Sequence, residues 1–230
     1  MRKFGNTGME IKRVGFGGIP IQRISQEDTN KVIDELEKCG VNFIDTARGY
    51  TISEEYLGNA LKGRREKFYI ATKSMSRDYE SMKKDIEISL KNLQTDYIDL
   101  YQMHNVKPAE YDTIFGEDRA YRALLEAKEA GKIKHIGITS HGLETVEKAV
   151  ESGKFETIQF PYNIVENQAD EVFKKAHEKG VGTIVMKPLA GGAIDDGTLA
   201  MKYILSREYI DVAIPGMDTP EQVRENTAVL

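Results

Sequence analysis

Asn42-Phe43-Ile44-Asp45-Thr46-Ala47-Arg48-Gly49-Tyr50 is the stretch on which the reading of this chain turns. An apolar run ends in an acid, and a tyrosine follows five residues later on what reads as a loop. Three later apolar runs end in residues able to move a proton or bind. Phe68-Tyr69-Ile70-Ala71-Thr72 leads to Lys73, Tyr97-Ile98-Asp99-Leu100-Tyr101-Gln102-Met103 leads to His104, and Thr157-Ile158 leads to Gln159. A parallel α/β barrel builds its active site from polar groups at the ends of successive buried strands.

The flanking sequence fits that plan. Residues 2–12 read as a hairpin around the turn cluster Gly5-Asn6-Thr7-Gly8, and Val14 to Gly18 as a short glycine-ended strand. From there strands and helices alternate. Helices are expected over Gln26–Lys38, from Ser53 to Gly63, and over Tyr79–Leu93, Arg119–Ala130, Leu143–Val150, Gln168–Lys179, Gly197–Leu205 and from Glu221 to the end. Strands fall between them, the later ones at Ile133–Thr139, Thr157–Phe160, Gly182–Met186 and Val212–Ile214, and Asn105 to Gly116 reads as a long loop. The strands are nearly continuous apolar runs, which marks a sheet covered on both faces. About eight strand–helix units predict an α/β fold closed into a (β/α)8 TIM barrel, with an N-terminal β-hairpin, as one domain over residues 1–230. No Gly-x-Gly-x-x-Gly opens a helix after the first strand, which argues against a Rossmann-type open sheet.

Composition narrows the function. The chain has 230 residues, 40% apolar and 30% charged, with a net charge of −5. That balance argues against nucleic acid as a partner, and Lys62-Gly63-Arg64-Arg65 reads as a solvated helix end. A single cysteine, Cys39, allows no internal disulfide and no four-thiolate iron–sulfur cluster within the chain. No signal-length or membrane-length apolar run occurs, so a cytoplasmic protein without a membrane partner is expected. No His/Cys/Asp grouping has ligand spacing, so no metal is expected.

Asp45, Tyr50, Lys73 and His104 are therefore the candidate catalytic set. A phenol has a reference pKa of about 10 and is a poor acid near neutrality. A nearby ammonium favours phenolate and lowers that value, and a carboxylate holds the ammonium in place. A histidine can donate to a substrate oxygen. The set suits protonation of an oxygen that is becoming an alkoxide, as in carbonyl reduction. Singly, each residue has a plainer reading as a cap, a solvated cation or a packed ring. Their joint placement at strand ends favours the chemical one.

The sequence also resembles a known family. Gly40 to Ala47 followed by Tyr50, Ser53-Glu54 and Leu57-Gly58 is similar to the signature of the aldo-keto reductases. So are Ile70-Ala71-Thr72-Lys73, Asp96 to Tyr101 with His104, Gly131-Lys132-Ile133, Gln159-Phe160 with Tyr162-Asn163, Lys187-Pro188-Leu189, and Ile214-Pro215-Gly216 with Glu225-Asn226. The resemblance implies reduction of small-molecule aldehydes or ketones to alcohols, with Tyr50 as general acid, Lys73 and Asp45 tuning it, and His104 orienting the carbonyl. It implies NADP(H), with NAD(H) as the alternative, bound across the barrel mouth. Gly17, Gly18, Asp45, Thr139, Ser140 and Gln159 would lie near the nicotinamide, with Lys187, Leu189 and Gly191 near the pyrophosphate. Gly216, Met217, Thr219, Gln222, Glu225 and Asn226 would surround the adenosine end. Met186 stands where many relatives stack an aromatic ring. Gly216 and Gln222 are not basic where relatives often grip a 2′-phosphate, which leaves Arg224 as the nearest cation; His141, His135 and His177 read as loop or structural residues. The wording Met186 to Gly192 is similar to a branch with a C-terminal iron–sulfur domain. Because the chain ends at Leu230, a truncated C-terminal segment and an open pocket are expected. A cofactor-binding barrel serving as a regulatory subunit is the alternative, and a barrel hydrolase or isomerase the third reading.

Overall fold

The structure is a computed structural model that describes all 230 residues. Strands β1 (Arg2–Lys3) and β2 (Glu10–Ile11) pair as the antiparallel N-terminal hairpin. The alternation then runs β3 (Phe16–Gly17), α1 (Gln26–Lys38), β4 (Phe43–Asp45), α2 (Ser53–Ala60), β5 (Tyr69–Ser74), α3 (Tyr79–Leu93), β6 (Ile98–Met103) and α4 (Ala120–Glu129). It continues with β7 (Ile133–Thr139), α5 (Leu143–Ser152), β8 (Thr157–Pro161), α6 (Asp170–Glu178), β9 (Gly182–Met186), α7 (Gly197–Leu205), β10 (Val212–Ala213) and α8 (Pro220–Thr227). No helix is long and apolar enough to cross a membrane. Local signals account for the helices. In α1, Ser25 caps the start by accepting from the Asp28 N–H, and Thr29, Val32, Ile33 and Leu36 form the buried stripe.

Strands β3 to β10 lie side by side in sequence order, each pair parallel. The two edges meet through parallel bridges between Val14 and Ala213 and between Gly17 and Gly216. Gly15 N donates to Ala213 O at 2.8 Å, and Gly17 N to Pro215 O at 2.9 Å. The expected TIM barrel is therefore present and closed. Gly17 has its own reason for being glycine. A Cβ there would stand 2.8 Å from the Ile214 carbonyl oxygen and 3.0 Å from that of Pro215, so the seam admits no side chain.

Side chains alternate in and out along each strand. The inward positions change character along the barrel axis. Toward the N-terminal end, Phe43, Ala71, Leu100, Ile184 and Val212 pack with Phe4, Met9 and Ile11, so the hairpin plugs the barrel floor. Two residues further along, the inward positions of β4, β5 and β6 are Asp45, Lys73 and Gln102, all buried. An apolar floor thus supports a polar layer at the mouth.

Outside the barrel, Glu54 ties three elements together. It is 1% exposed, and it accepts from Thr72 Oγ1 on β5 at 2.8 Å, from Ser89 Oγ at 2.7 Å and Asn92 Nδ2 at 3.2 Å on α3, and from Arg48 at 3.3 Å. Gly58 lets α2 approach α3: a Cβ there would stand 2.2 Å from the Asn92 carbonyl oxygen. The segment expected as a plain loop after His104 contains a 3-10 helix at Pro108–Ile114. Its Tyr111 and the neighbouring Phe115 pack edge-on at 5.3 Å, and Phe115 meets Tyr121 of α4 at 5.1 Å. Tyr111 and Phe115 also pack on Phe155, at 6.5 Å and 6.1 Å, a partner too far along the chain to leave a local signature. Gly58→Ala is expected to destabilise the protein by about 2 kcal/mol through overpacking at the helix crossing. Urea unfolding reads this, and an unchanged midpoint would contradict it.

Candidate active site

The polar layer is built around one buried pair. Lys73 Nζ lies 2.5 Å from Asp45 Oδ2, and the two side chains are 1% and 4% exposed. Lys73 also donates to the Thr46 carbonyl at 2.8 Å. The other carboxylate oxygen, Asp45 Oδ1, accepts from Gln102 Nε2 at 3.0 Å. Each oxygen of Asp45 thus has a donor, as a carboxylate removed from water requires.

Tyr50 reaches this pair from the loop after β4. Its backbone N–H bonds to Ala47 O at 3.0 Å, which turns the chain back over the mouth. Lys73 Nζ lies 4.9 Å from the centre of the Tyr50 ring. The His104 ring stands edge-on to the same phenol, 6.0 Å between centres at 86°. His104 follows β6 directly, and its N–H closes the last rung on Ser74 O at 2.8 Å. The four residues expected to converge do so.

Their ionisation differs from expectation at one point. Burial pushes the Tyr50 phenol above its ordinary value, and Asp45 adds to this, while Lys73 pulls it down without winning. Tyr50 is a protonated phenol at neutral pH. Desolvation outweighs the ammonium because the same pocket that brings Lys73 close excludes water and holds a carboxylate. Burial pushes Asp45 upward, against the opposing pull of Lys73 and Gln102. His104 is brought down to about 3 by burial, then by Lys73, Arg77 and His141, so its ring is neutral. Its Nδ1 is buried without a partner.

Around this centre, Gly18 N donates to Asp45 O at 2.8 Å, and Gly17 lies in register with Asp45. Thr139 and Gln159 are neighbours on β7 and β8. Thr139 Oγ1 accepts from Asn105 N at 2.8 Å, while Ser140 Oγ donates to Val106 O at 2.6 Å and accepts from Gly142 N at 2.9 Å. Gln159 is 2% exposed and its Oε1 has no partner. Lys187, Leu189 and Gly191 follow β9 in a turn with positive φ at Lys187 (55°) and Gly191 (70°). Gly216 lies at the barrel seam beside Gly17, and Thr219 caps α8 by accepting from Gln222 N at 3.2 Å. Gln222 Oε1 accepts from Asp218 N at 2.7 Å, Asn226 Nδ2 donates to Gln222 O at 2.9 Å, and Glu225 is exposed. Met217 is fully buried in the main core, so its side chain packs inward. Arg224, the nearest cation to that end, pairs with Glu35 of α1 at 3.1 Å and Glu221 at 2.5 Å.

Two contributors escaped sequence reasoning. Gln102 carried a signal that could have found it: it is the one amide in the strand Ile98–Met103, two residues before His104. Arg77, on the β5–α3 loop, donates to the His104 carbonyl at 2.7 Å, and no local pattern marked it.

Comparison with known proteins agrees with this geometry. The aldo/keto reductase family model matches residues 13–199. This chain belongs to that family. It is similar to the L-galactose dehydrogenase of Arabidopsis thaliana, 28% identical with 100% of this chain and 88% of that protein aligned. It is similar to the NADH-specific methylglyoxal reductase of Escherichia coli, at 26% identity over 98% of this chain and 92% of that protein. Among solved structures, the holo form of an aldo-keto reductase from Bacillus halodurans superposes with a TM-score of 0.87 at 26% identity, covering 99% of this chain and 89% of the other. Membership makes the chain an oxidoreductase of a carbonyl-reducing family.

The buried pair makes a stability prediction. Lys73→Met alone leaves an uncompensated buried carboxylate and is expected to cost about 3 kcal/mol or more. Adding Asp45→Asn should recover part of that loss. A chemical-denaturation double-mutant cycle with strictly additive costs would contradict the coupling.

Proposed function

We propose that this chain reduces an aldehyde or ketone to an alcohol, with Tyr50 as the proton donor and a nicotinamide cofactor as the hydride source. The observation that carries the reading is a buried ammonium–carboxylate pair lying against a phenol that also faces a neutral imidazole. The fit of the cofactor rests on Gln159, whose buried Oε1 lacks a donor that a carboxamide N–H would supply. Gln159 would hold the carboxamide beside Asp45, with Thr139, Ser140, Gly17 and Gly18 shaping the wall, and Lys187, Leu189 and Gly191 would flank the phosphates. Thr219, Gln222, Glu225 and Asn226 on α8 would face the adenosine. A reduced nicotinamide, when bound, supplies the hydride that reaches the carbonyl carbon.

The residues handle the oxygen. Neutral His104 keeps an N–H for the substrate carbonyl and adds no positive charge to the pocket. As negative charge develops on that oxygen, the Tyr50 phenol gives up its proton and the alcohol forms. The phenolate left behind sits against the Lys73 ammonium, which stabilises it until solvent returns a proton. Asp45, fixed by Lys73 and Gln102, keeps the ammonium directed and does not compete for the proton.

Two measurements test this. Tyr50→Phe should lower turnover of a generic aldehyde by about a thousandfold, the scale of a general acid, while fluorescence titration with NADH and NADPH shows cofactor binding retained. Turnover by Tyr50→Phe at the parent rate, or tight cofactor binding by a parent inert on a broad carbonyl panel, would overturn the reading. The pH profile carries a sign. Reduction needs Tyr50 protonated and His104 neutral, so the rate falls only above the raised tyrosine value or below the histidine value of about 3. Reductive kcat/KM should be flat between about pH 5 and about pH 9. A His104-dependent inflection near neutrality would contradict it.

A further inference from the structure

Arg77 lies outside the set just described, yet every N–H of its guanidinium is spent on the segments that carry that set. Nη2 donates to the carbonyls of His104 at 2.7 Å and Asn105 at 3.2 Å. Nη1 donates to those of Met75 at 3.0 Å and Ser76 at 3.3 Å. Nε donates to Glu110 Oε2 at 3.2 Å. An arginine has five N–H donors, and all five are used. The planar fork therefore joins the loop after β5, which follows Lys73, to the loop after β6, which begins with His104. Glu110 belongs to the 3-10 helix at Pro108–Ile114 and also accepts from Lys107 N at 3.1 Å, so a third segment is tied in.

The need for this clamp follows from the backbone. The β5–β6 ladder ends where His104 N meets Ser74 O. Beyond that rung the His104 peptide is held from two sides: its N–H end, Asn105 N, donates to Thr139 Oγ1 of β7 at 2.8 Å, and its carbonyl is gripped by Arg77. Asn105 then turns left-handed, with φ at 50°. Arg77 Nη2 grips the two consecutive carbonyls of this turn, while Thr139 holds its N–H groups at Asn105 and Val106.

We propose that Arg77 is the positioning residue of the site: it fixes the His104 peptide relative to Lys73 and so sets where the imidazole meets the substrate oxygen. This rests on the carbonyl-reductase reading above. A plain loop staple would predict lost stability only. A positioning role predicts lost turnover in a protein that still folds and binds. The groups facing His104 are Tyr50 from the β4 loop, Lys73 from β5, Arg77 from the β5–α3 loop and His141 from the β7 loop. Removing Arg77 both releases the His104 carbonyl and withdraws one of the cations that disfavour protonation of the ring.

The test uses the full chain with Arg77→Met, Arg77→Lys and Glu110→Gln. Turnover of 4-nitrobenzaldehyde is read with NADH and NADPH, and His104 protonation by NMR of the ring, assigned with His104→Gln. Arg77→Met should lower kcat about tenfold or more with carbonyl KM within about twofold, since a misplaced group slows the step without losing the ligand. Its His104 should titrate measurably closer to the ordinary value of 6.5 than the parent's does. Arg77→Lys keeps the charge and loses the fork, so its His104 should titrate near the parent value while kcat stays low. Glu110→Gln, which weakens one of the five bonds, should lower kcat about threefold and decides the matter if Arg77→Met fails to fold. Parent-level kcat in folded Arg77→Met, full rescue by Arg77→Lys, or an unaffected Glu110→Gln alongside an unfolded Arg77→Met would overturn the proposal. If the parent reduces no carbonyl, the functional reading fails by itself. The His104 titration then still reads the clamp, and identical values in parent and Arg77→Met would sink it.

Discussion

An ammonium and a carboxylate in contact inside the barrel mouth set the terms for everything else in this molecule. Taking the Lys73 and Asp45 charges out of water carries a penalty of several kcal/mol per ion, which mutual attraction offsets only when the remaining valences are also met. Here they are met from neighbouring elements: the Thr46 carbonyl on the cation and the Gln102 amide on the anion. The pair and its partners come from β5, β6 and the end of β4 with the residue after it, so the pair exists only once the parallel ladder has formed. The apolar floor of Phe43, Ala71, Leu100 and the hairpin residues excludes water from below. The closed seam at Gly17 and Gly216 excludes it from the side.

That pair also explains why the phenol above it behaves as it does. A cation alone would make Tyr50 a stronger acid in the resting state. Together with a carboxylate and a dry pocket, it leaves the proton in place. The ammonium still contributes when the phenol becomes anionic, because stabilisation is then needed at the same short range. The arrangement favours the charge distribution of the reaction over that of the resting site, which is how a preorganised polar pocket lowers a barrier. The neutral imidazole follows from the same physics, since burial and two nearby cations oppose a third positive charge.

Much of this was legible in the chain. The order of the eight parallel strands followed from apolar runs alternating with helical periods. Helices at Gln26–Lys38, Tyr79–Leu93 and Gly197–Leu205 were read to the residue; each starts directly after a capping side chain, Ser25, Asp78 or Asp196. The mouth residues were legible because Asp45, Lys73 and His104 sit at strand ends, where one dimension of sequence maps onto one ring in space, and Tyr50 lies on the loop that leaves the first of them. What stayed hidden depends on contacts between distant segments. Arg77 gives no sign of its five carbonyl and carboxylate partners until the loops are folded. Nor does the 3-10 helix within 105–116, held by an aromatic cluster from α4 and beyond, show in local pattern. The direction of the Tyr50 shift was misjudged for a related reason: sequence reveals which charges are near but not how much water has left.

The most direct test of the account is the ionisation state of the Tyr50 phenol itself. With tyrosine labelled at Cζ, the carbon resonance that disappears in Tyr50→Phe reports that group alone. The account predicts that it keeps the chemical shift of a protonated phenol up to and beyond pH 10, and that Lys73→Met pushes its titration higher still. A Tyr50 resonance already at the phenolate position near pH 8 would contradict it.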